Sequence, residues 1–387
     1  MAVFIVILFW FSVALVAYVY IGYPLLISLG SGFVPPPNKH GEYLPRLTLI
    51  IPARNEEQWI RHKLENTLEL DYPKHLLEII VASDGSTDQT VAIASGFQSE
   101  GVAVAVFVER QGKQEMLNIL ATRSTAEILV MTDTHVLLER ASIRNLVRHF
   151  ADAKIGCVTG QRLCILQPGV PQGAGEGMYW RYESWIKRSE SRMHSCLGAH
   201  GQLYAVRRSV FPHVERVGED FYIPMKIIAA TGMRVLFEPG AIAHTPAAAN
   251  LQIEFERKTR AHVSFLMTLP MLPELLVPWR NPVWWQYISH HLLRMTVPIA
   301  LGGILVSSFL LAARGDLYWW AAASQLVFYL LSVIGFMLAF RDIRINIFYI
   351  PFYFVLANAS LARALLRWPR KKYDYAWNRT ERIPVSG

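Results

Sequence analysis

Charge is scarce in this chain of 387 residues. Asp, Glu, Lys and Arg together make up 18%, against roughly 25% in an average globular protein. None of the four occurs between Ala2 and Val34. Apolar residues supply 52% and mean hydropathy is +0.25. That balance excludes a disordered chain, a coiled coil and an ordinary cytosolic enzyme. Cysteine is almost missing too. Cys157, Cys164 and Cys196 are too few for a disulfide framework and fit no zinc spacing. Free, buried thiols in a reducing compartment are expected.

The charge that is present is basic, with a net +8. Many of the cations flank apolar stretches, where anionic headgroups and membrane orientation explain them better than nucleic acid does. No nucleic-acid partner is expected. Residues 1–34 exceed the roughly 20 apolar residues that cross a bilayer, and they lack the basic start of a signal peptide. They read as a retained transmembrane helix. Pro35, Pro36 and Pro37 end it, and Lys39 and Arg46 follow as a positive flank. Orientation by positive charge puts the next domain in the cytosol. The implied location is the plasma membrane, bacterial inner membrane being the expectation.

Residues 46–260 have soluble composition. Short β-branched runs at 47–51, 77–81, 102–108, 128–131 and 156–159 alternate with amphipathic stretches. Such alternation predicts an α/β domain on a mostly parallel sheet, with ligands at the strands' C-terminal ends. Residues 261–294 contain prolines and tryptophans that suit an interfacial amphipathic segment. Spans are expected at 295–313 and 317–340. Pro351, Asn358 and Arg363 interrupt the stretch 343–366. A full third span there would put Arg370, Lys371 and Lys372 outside, against the charge rule. A re-entrant or interfacial segment is favoured over a span, followed by a basic cytosolic tail, 367–387.

Six clusters carry candidate chemistry. Asn55-Glu56-Glu57 ends the first strand, where polar groups hold a nucleotide base or ribose. The same residues also make an ordinary helix start. Asp84-Gly85-Ser86 ends the second strand; Asp84 can accept from a base imide or a ribose hydroxyl, or simply belong to a βα turn. Gln111-Gly112-Lys113 offers a Gly-hinged lysine for phosphate, or a solvated turn. Thr132-Asp133-Thr134-His135 ends a buried strand, and an acid there needs a cation or donors. Beside a diphosphate the economical partner is Mg²⁺ or Mn²⁺. Glu219-Asp220, after Gly198-Ala199-His200-Gly201 and Arg207-Arg208, can supply a general base whose pKa like-charge crowding raises. Finally, Glu256-Arg257-Lys258-Thr259-Arg260 can neutralise a leaving diphosphate or form a basic membrane flank.

Each cluster is weak alone, but their order is specific. Strand-Asn-Glu, strand-Asp-Gly-Ser, Gly-Lys, strand-Thr-Asp, Glu-Asp and Arg-x-x-Arg, framed by apolar helices, resembles the membrane-embedded family 2 glycosyltransferases. The nearest resemblance is to the branch of cellulose, chitin, hyaluronan and poly-N-acetylglucosamine synthases. It runs to Trp377-Asn378-Arg379-Thr380-Glu381-Arg382, which looks like that branch's terminal signature. The resemblance implies a GT-A fold and a nucleotide-sugar donor, usually UDP-linked, with a lipid-linked or polysaccharide acceptor in the membrane. It implies nucleotide contacts from Asn55, Glu56, Asp84 and Lys113, with Arg257 and Arg260 on the diphosphate. It further implies a metal at Asp133, with His135 in place of the second acid, and Asp220 as general base, Glu219 being the next candidate. Imidazole at His135 suits Mn²⁺ better than Mg²⁺. Where processive members carry Trp after the second Arg, this chain has Ala261, which removes an acceptor-stacking platform. A nucleotidyltransferase and a catalytically degenerate membrane scaffold are the rival classes.

Overall fold

A computed structural model of the chain describes residues 1–35, 41–165, 174–215, 217–246, 250–341, 343 and 345–368. The apolar runs become strands β1 (Leu47–Ala53), β2 (Leu77–Asp84), β3 (Val102–Phe107) and β4 (Ile128–Thr132). The fifth expected run lies in β6 (Ile155–Ile165). Strands β5 (Leu137–Leu138), β7 (Leu203–Arg207) and β8 (Arg234–Pro246) complete one eight-stranded sheet, in the order β3-β2-β1-β4-β7-β6-β8-β5. Its first half is parallel throughout. Its second half is mixed: β7 runs antiparallel to β4 and β6, while β6 and β8 are parallel. Strand β7 left no clear signal because Leu-Tyr-Ala-Val-Arg is short and shows no alternation.

Period-two alternation splits the core between the two faces of the sheet. Leu49 and Ile51 pack with Ile60 and Leu64 on one face. Ile50 joins Met116, Leu117 and Tyr204 on the other. Strand β1 lies between β2 and β4, so the chain crosses in opposite directions on either side of it. The crevice at the C-terminal ends of β1, β2 and β4 is where such a sheet takes ligands.

Among the described residues, four helices are long and apolar enough to cross a membrane: Ala2–Gly32, Trp284–Arg314, Asp316–Ala339 and Asn346–Arg367. The first contains a π-turn at Tyr18–Gly22, just before Pro24. Proline has no N–H to give the helix, and the wider turn absorbs that loss. This helix runs antiparallel to Trp284–Arg314: the Tyr18 hydroxyl meets Ser289 Oγ at 2.8 Å, and Ser12 faces Gly303.

Three boundaries differ from those read in the sequence. The span expected to start at residue 295 starts at Trp284, within the segment read as interfacial. The break expected at residue 260 falls inside a helix, Leu251–Thr268, whose amphipathic pattern continues past the basic cluster. The interrupted stretch 343–366 is one continuous helix, Asn346–Arg367, in spite of Pro351. It leans on the catalytic domain. Tyr353 OH is 3.5 Å from Glu254 Oε1, and both Arg363 (2.6 Å) and Arg367 (3.2 Å) pair with Glu256. Asn358 is buried, accepting from Tyr20 OH at 3.1 Å. The tail beyond Trp368, with the 377–382 segment, lies outside the described residues.

Candidate active site

The first two clusters interlock. Asn55 adopts a left-handed backbone (φ 53°), which Asn tolerates better than most residues. Its Oδ1 accepts from Thr87 N at 2.8 Å, and its own N–H donates to Ser86 Oγ at 3.2 Å. Glu56 N–H donates to Thr90 Oγ1 at 2.8 Å. Asp84 is fully buried and accepts the backbone N–H groups of Gln111 (2.7 Å) and Gly112 (3.2 Å). It fixes the turn rather than facing the crevice. Gly112, at φ 87°, lets that turn close directly into the Lys113–Arg123 helix.

Lys113 is the hub. Its Nζ lies 2.9 Å from Asp133 Oδ1 and 2.6 Å from Glu219 Oε1. Burial alone would favour the neutral amine, but the Asp133 and Glu219 carboxylates outweigh it and hold the lysine charged well above its ordinary range. Three clusters spread over about a hundred residues thus meet at one ammonium group. Gln114 Nε2 donates to Val217 O at 2.9 Å, and Asn118 exchanges two hydrogen bonds with Val214. These contacts secure the segment leading into Glu219.

Glu219 and Asp220 occupy the first turn of the Glu219–Thr231 helix, where the helix dipole favours carboxylates. Glu219 is engaged with Lys113. The Asp220 carboxylate has no hydrogen-bonding partner among the described residues. Burial, and next the Glu219 charge, push its pKa up from 3.8 to about 7. Gly201 lies against it: a Cβ there would sit 3.3 Å from Asp220 Oδ2. Small residues at Gly201 and Gly218 leave room beside this carboxylate.

Asp133 directly follows β4, and His135 Nε2 stands 3.8 Å from Asp133 Oδ2. That ring nitrogen is buried without a hydrogen-bond partner. No cluster of three metal-ligating side chains occurs among the described residues. The pair nonetheless fits a divalent cation that draws its remaining oxygens from a diphosphate and water. The orphaned imidazole nitrogen beside a carboxylate is the observation that favours it.

Arg257 and Arg260 share one face of the Leu251–Thr268 helix with Ser264. Ser264 is in contact with Gly218, two residues from Asp220. Arg257 is paired with Glu254. Arg207 and Arg208 belong elsewhere. Arg207 lies opposite Ile128, at the start of β4, and reaches Glu127 at 2.9 Å. Arg208 donates to Ala126 O at 2.7 Å. Both stand at the sheet edge away from the crevice.

Lys63 was not legible as a functional residue. It sits on an amphipathic helix, where a lysine reads as solvated. Here it is fully buried and donates to Thr132 Oγ1 (3.1 Å) and Val136 O (2.7 Å) on both sides of Asp133. Cys157 and Cys196 are buried free thiols, as expected, whereas Cys164 is only half-buried and accepts from Arg162 at 3.5 Å.

Comparison with known proteins bears on the fold. Residues 48–214 match the model of Glycosyl transferase family 2. The chain is 25% identical over 253 residues to the Probable glycosyltransferase YdaM of Bacillus subtilis, covering 59% of this chain and 57% of that protein. It is 24% identical over 213 residues to the poly-beta-1,6-N-acetyl-D-glucosamine synthase of Staphylococcus aureus, covering 53% and 51%. The chain therefore spans little more than half the length of these relatives. Among solved structures, mannosyltransferase PcManGT from Pyrobaculum calidifontis, in complex with GDP-Man and Mn2+, aligns with a TM-score of 0.69 and 24% identity. That alignment covers 95% of this chain and 100% of the other, and it shows a shared fold. A crevice at the ends of three parallel strands, with Asp133 and Glu219 gathered on Lys113, is thus built on a GT-A fold, and residues 48–214 of the chain match the family 2 glycosyltransferase domain.

Proposed function

We propose that the chain transfers a sugar with inversion from a nucleotide sugar, UDP-linked in our reading, to a membrane-held acceptor at the cytosolic face. The observation that carries this reading is the Lys113 bridge between Asp133 and Glu219. It brings the diphosphate end of the crevice next to Asp220. Asn55 and Glu56 line the nucleoside end. Asp84 shapes that end through the turn it holds, and Lys113 faces the phosphates. Asp133 and His135 would hold Mn²⁺ or Mg²⁺, which when bound neutralises diphosphate charge as the leaving group departs.

Asp220 is the general base. It is free of ion pairing where Glu219 is not, and its raised pKa matches a group that must take up a proton near neutral pH. It removes the acceptor hydroxyl proton as that oxygen attacks the anomeric carbon, and the nucleoside diphosphate leaves from the opposite face. Arg257 and Arg260 stand on the helix face that passes this point and accept the developing charge on the diphosphate.

The acceptor is a lipid-linked saccharide or a growing polysaccharide. Ala261, in place of an aromatic platform, favours addition of one or a few sugars over long-chain synthesis. The test is product analysis after incubating membranes with radiolabelled UDP-sugars. Label in a lipid or glycan fraction with release of UDP supports the reading. A nucleotidylated product would make the chain a nucleotidyltransferase. No turnover with any donor, in folded protein, would leave only a scaffold.

A further inference from the structure

Three side chains hold the turn that carries Asp133 and His135. Thr134 Oγ1 donates to Pro52 O at 2.7 Å, which ties the turn to the end of β1. Thr132 Oγ1 donates to Gln202 O at 2.9 Å, which ties its start to the residue after Gly201. The third is Lys63, whose Nζ spans the turn from Thr132 Oγ1 (3.1 Å) to Val136 O (2.7 Å). A threonine hydroxyl has a single proton. Thr132 gives its proton to Gln202, so toward Lys63 it can only accept. The donors therefore run one way, from Lys63 through Thr132 to the Gln202 carbonyl. Gln202 adjoins Gly201, where a Cβ would sit 3.3 Å from Asp220 Oδ2.

Lys63 cannot reach a substrate. It is fully buried on the Ile60–Leu68 helix, and that helix packs Ile60 and Leu64 on one face of the sheet. The Lys113 helix packs Met116 and Leu117 on the other. The two lysines thus come to Asp133 from opposite faces, Lys113 at the carboxylate and Lys63 at the flanks of the turn. Lys63 makes no ion pair among the described residues. An ammonium without one is expensive to bury, and a methionine would fill the same space without that cost. What a methionine cannot do is donate. Thr132 and Val136 are buried as well, so bulk water cannot stand in for the two donors.

We infer that Lys63 is a positioning residue, which sets the geometry and hence the affinity of the divalent-cation site at Asp133 and His135. Both ligands lie between the two points that Lys63 holds, so one ammonium group fixes the spacing of the segment that carries them. Losing the hydrogen bonds that orient metal ligands typically costs about 10- to 100-fold in metal affinity. The inference rests on the metal reading given above.

The test is Mn²⁺ binding to the full-length chain in detergent, with UDP or GDP present, followed by the electron paramagnetic resonance of free Mn²⁺. Lys63→Met should weaken Mn²⁺ binding by about tenfold or more, while nucleotide affinity in EDTA is unchanged. Ile60→Val trims the packing of the same helix. It should lower the melting temperature without moving Mn²⁺ affinity, which separates positioning from a general loosening of the fold. If Lys63→Met does not fold, Thr132→Val takes its place, because it cuts the relay at the hydroxyl and leaves both metal ligands intact; it too should weaken Mn²⁺ binding. Wild-type Mn²⁺ affinity in the folded variant overturns the role of Lys63 and leaves the metal reading standing. An equal weakening in Ile60→Val also overturns it. A wild-type chain that binds no Mn²⁺ with either nucleotide overturns the metal reading, and this inference with it.

Discussion

Asp220 and Glu219 are adjacent in the sequence and chemically alike, yet the structure gives them different surroundings. Lys113 takes Glu219, and Asp220 is left as the carboxylate that crowding and burial keep ready to accept a proton. Asp220→Asn should lower transfer by roughly 10²–10⁴ and leave nucleotide binding intact; near-normal turnover would hand the role to Glu219. In wild-type enzyme kcat/KM should rise with pH through about 7 as Asp220 ionises. The same shift has a stability consequence. Between the unfolded value of 3.8 and about 7 the unfolded chain ionises this group while the folded chain resists, so the group's contribution to stability falls over that window. Metal-free Asp220→Asn should therefore gain in melting temperature over wild type between those pH values and hold the gain above them. An unchanged difference across the window would mean that the carboxyl titrates normally.

Asp133 and His135 make a second prediction at this scale. Asp133→Ala should abolish divalent-dependent nucleotide-sugar binding, and EDTA should silence the wild type, as followed by calorimetry and transfer assays. Activity untouched by chelator would remove the metal from the reaction. His135→Asp should remain active and shift preference toward Mg²⁺.

At the scale of elements, the site depends on how closely two helices approach. Gly218 precedes the Glu219–Thr231 helix with φ −66°, a conformation open to any residue, so its lack of a side chain answers a contact and not a backbone demand. A Cβ there would lie 2.1 Å from Ser264 Oγ on the Leu251–Thr268 helix. Gly218→Ala should cost about 1–3 kcal/mol of stability by overpacking, and should lower transfer because Asp220 is two residues away. Ser264→Gly in the same chain removes the clashing atoms and should restore most of both, less the ~1 kcal/mol cost of glycine within a helix. A double variant no better than Gly218→Ala would mean that the helices do not meet there.

For the whole molecule, the question is where the last helix leaves the chain. By length and composition alone Asn346–Arg367 is a fourth crossing. Its C-terminal arginines nevertheless pair with Glu256, and its middle touches Glu254, both on the helix that packs against the catalytic domain. We propose three crossings with the last helix lying across the domain's membrane side, which keeps the tail with the catalytic domain and satisfies the charge rule. A cysteine at Ser386 should then resist an impermeant maleimide in intact cells and react after permeabilisation. Labelling of intact cells would make the last helix a true span.

The sequence by itself determined the parallel half of the sheet and the apolar helices. Strand runs and uncharged stretches are local patterns, fixed by backbone geometry and by the cost of placing charge in hydrocarbon. It also marked the candidate site residues, because acids at the ends of apolar strands are conspicuous wherever the fold later puts them. Only the tertiary structure decided which of these residues meet. Lys113 joins Asp133 and Glu219, Arg207 and Arg208 fall at the far edge, and buried Lys63 braces the turn around Asp133. Those outcomes rest on contacts between residues from 20 to over 100 positions apart, set by strand order and helix packing. No local pattern encodes such a distance.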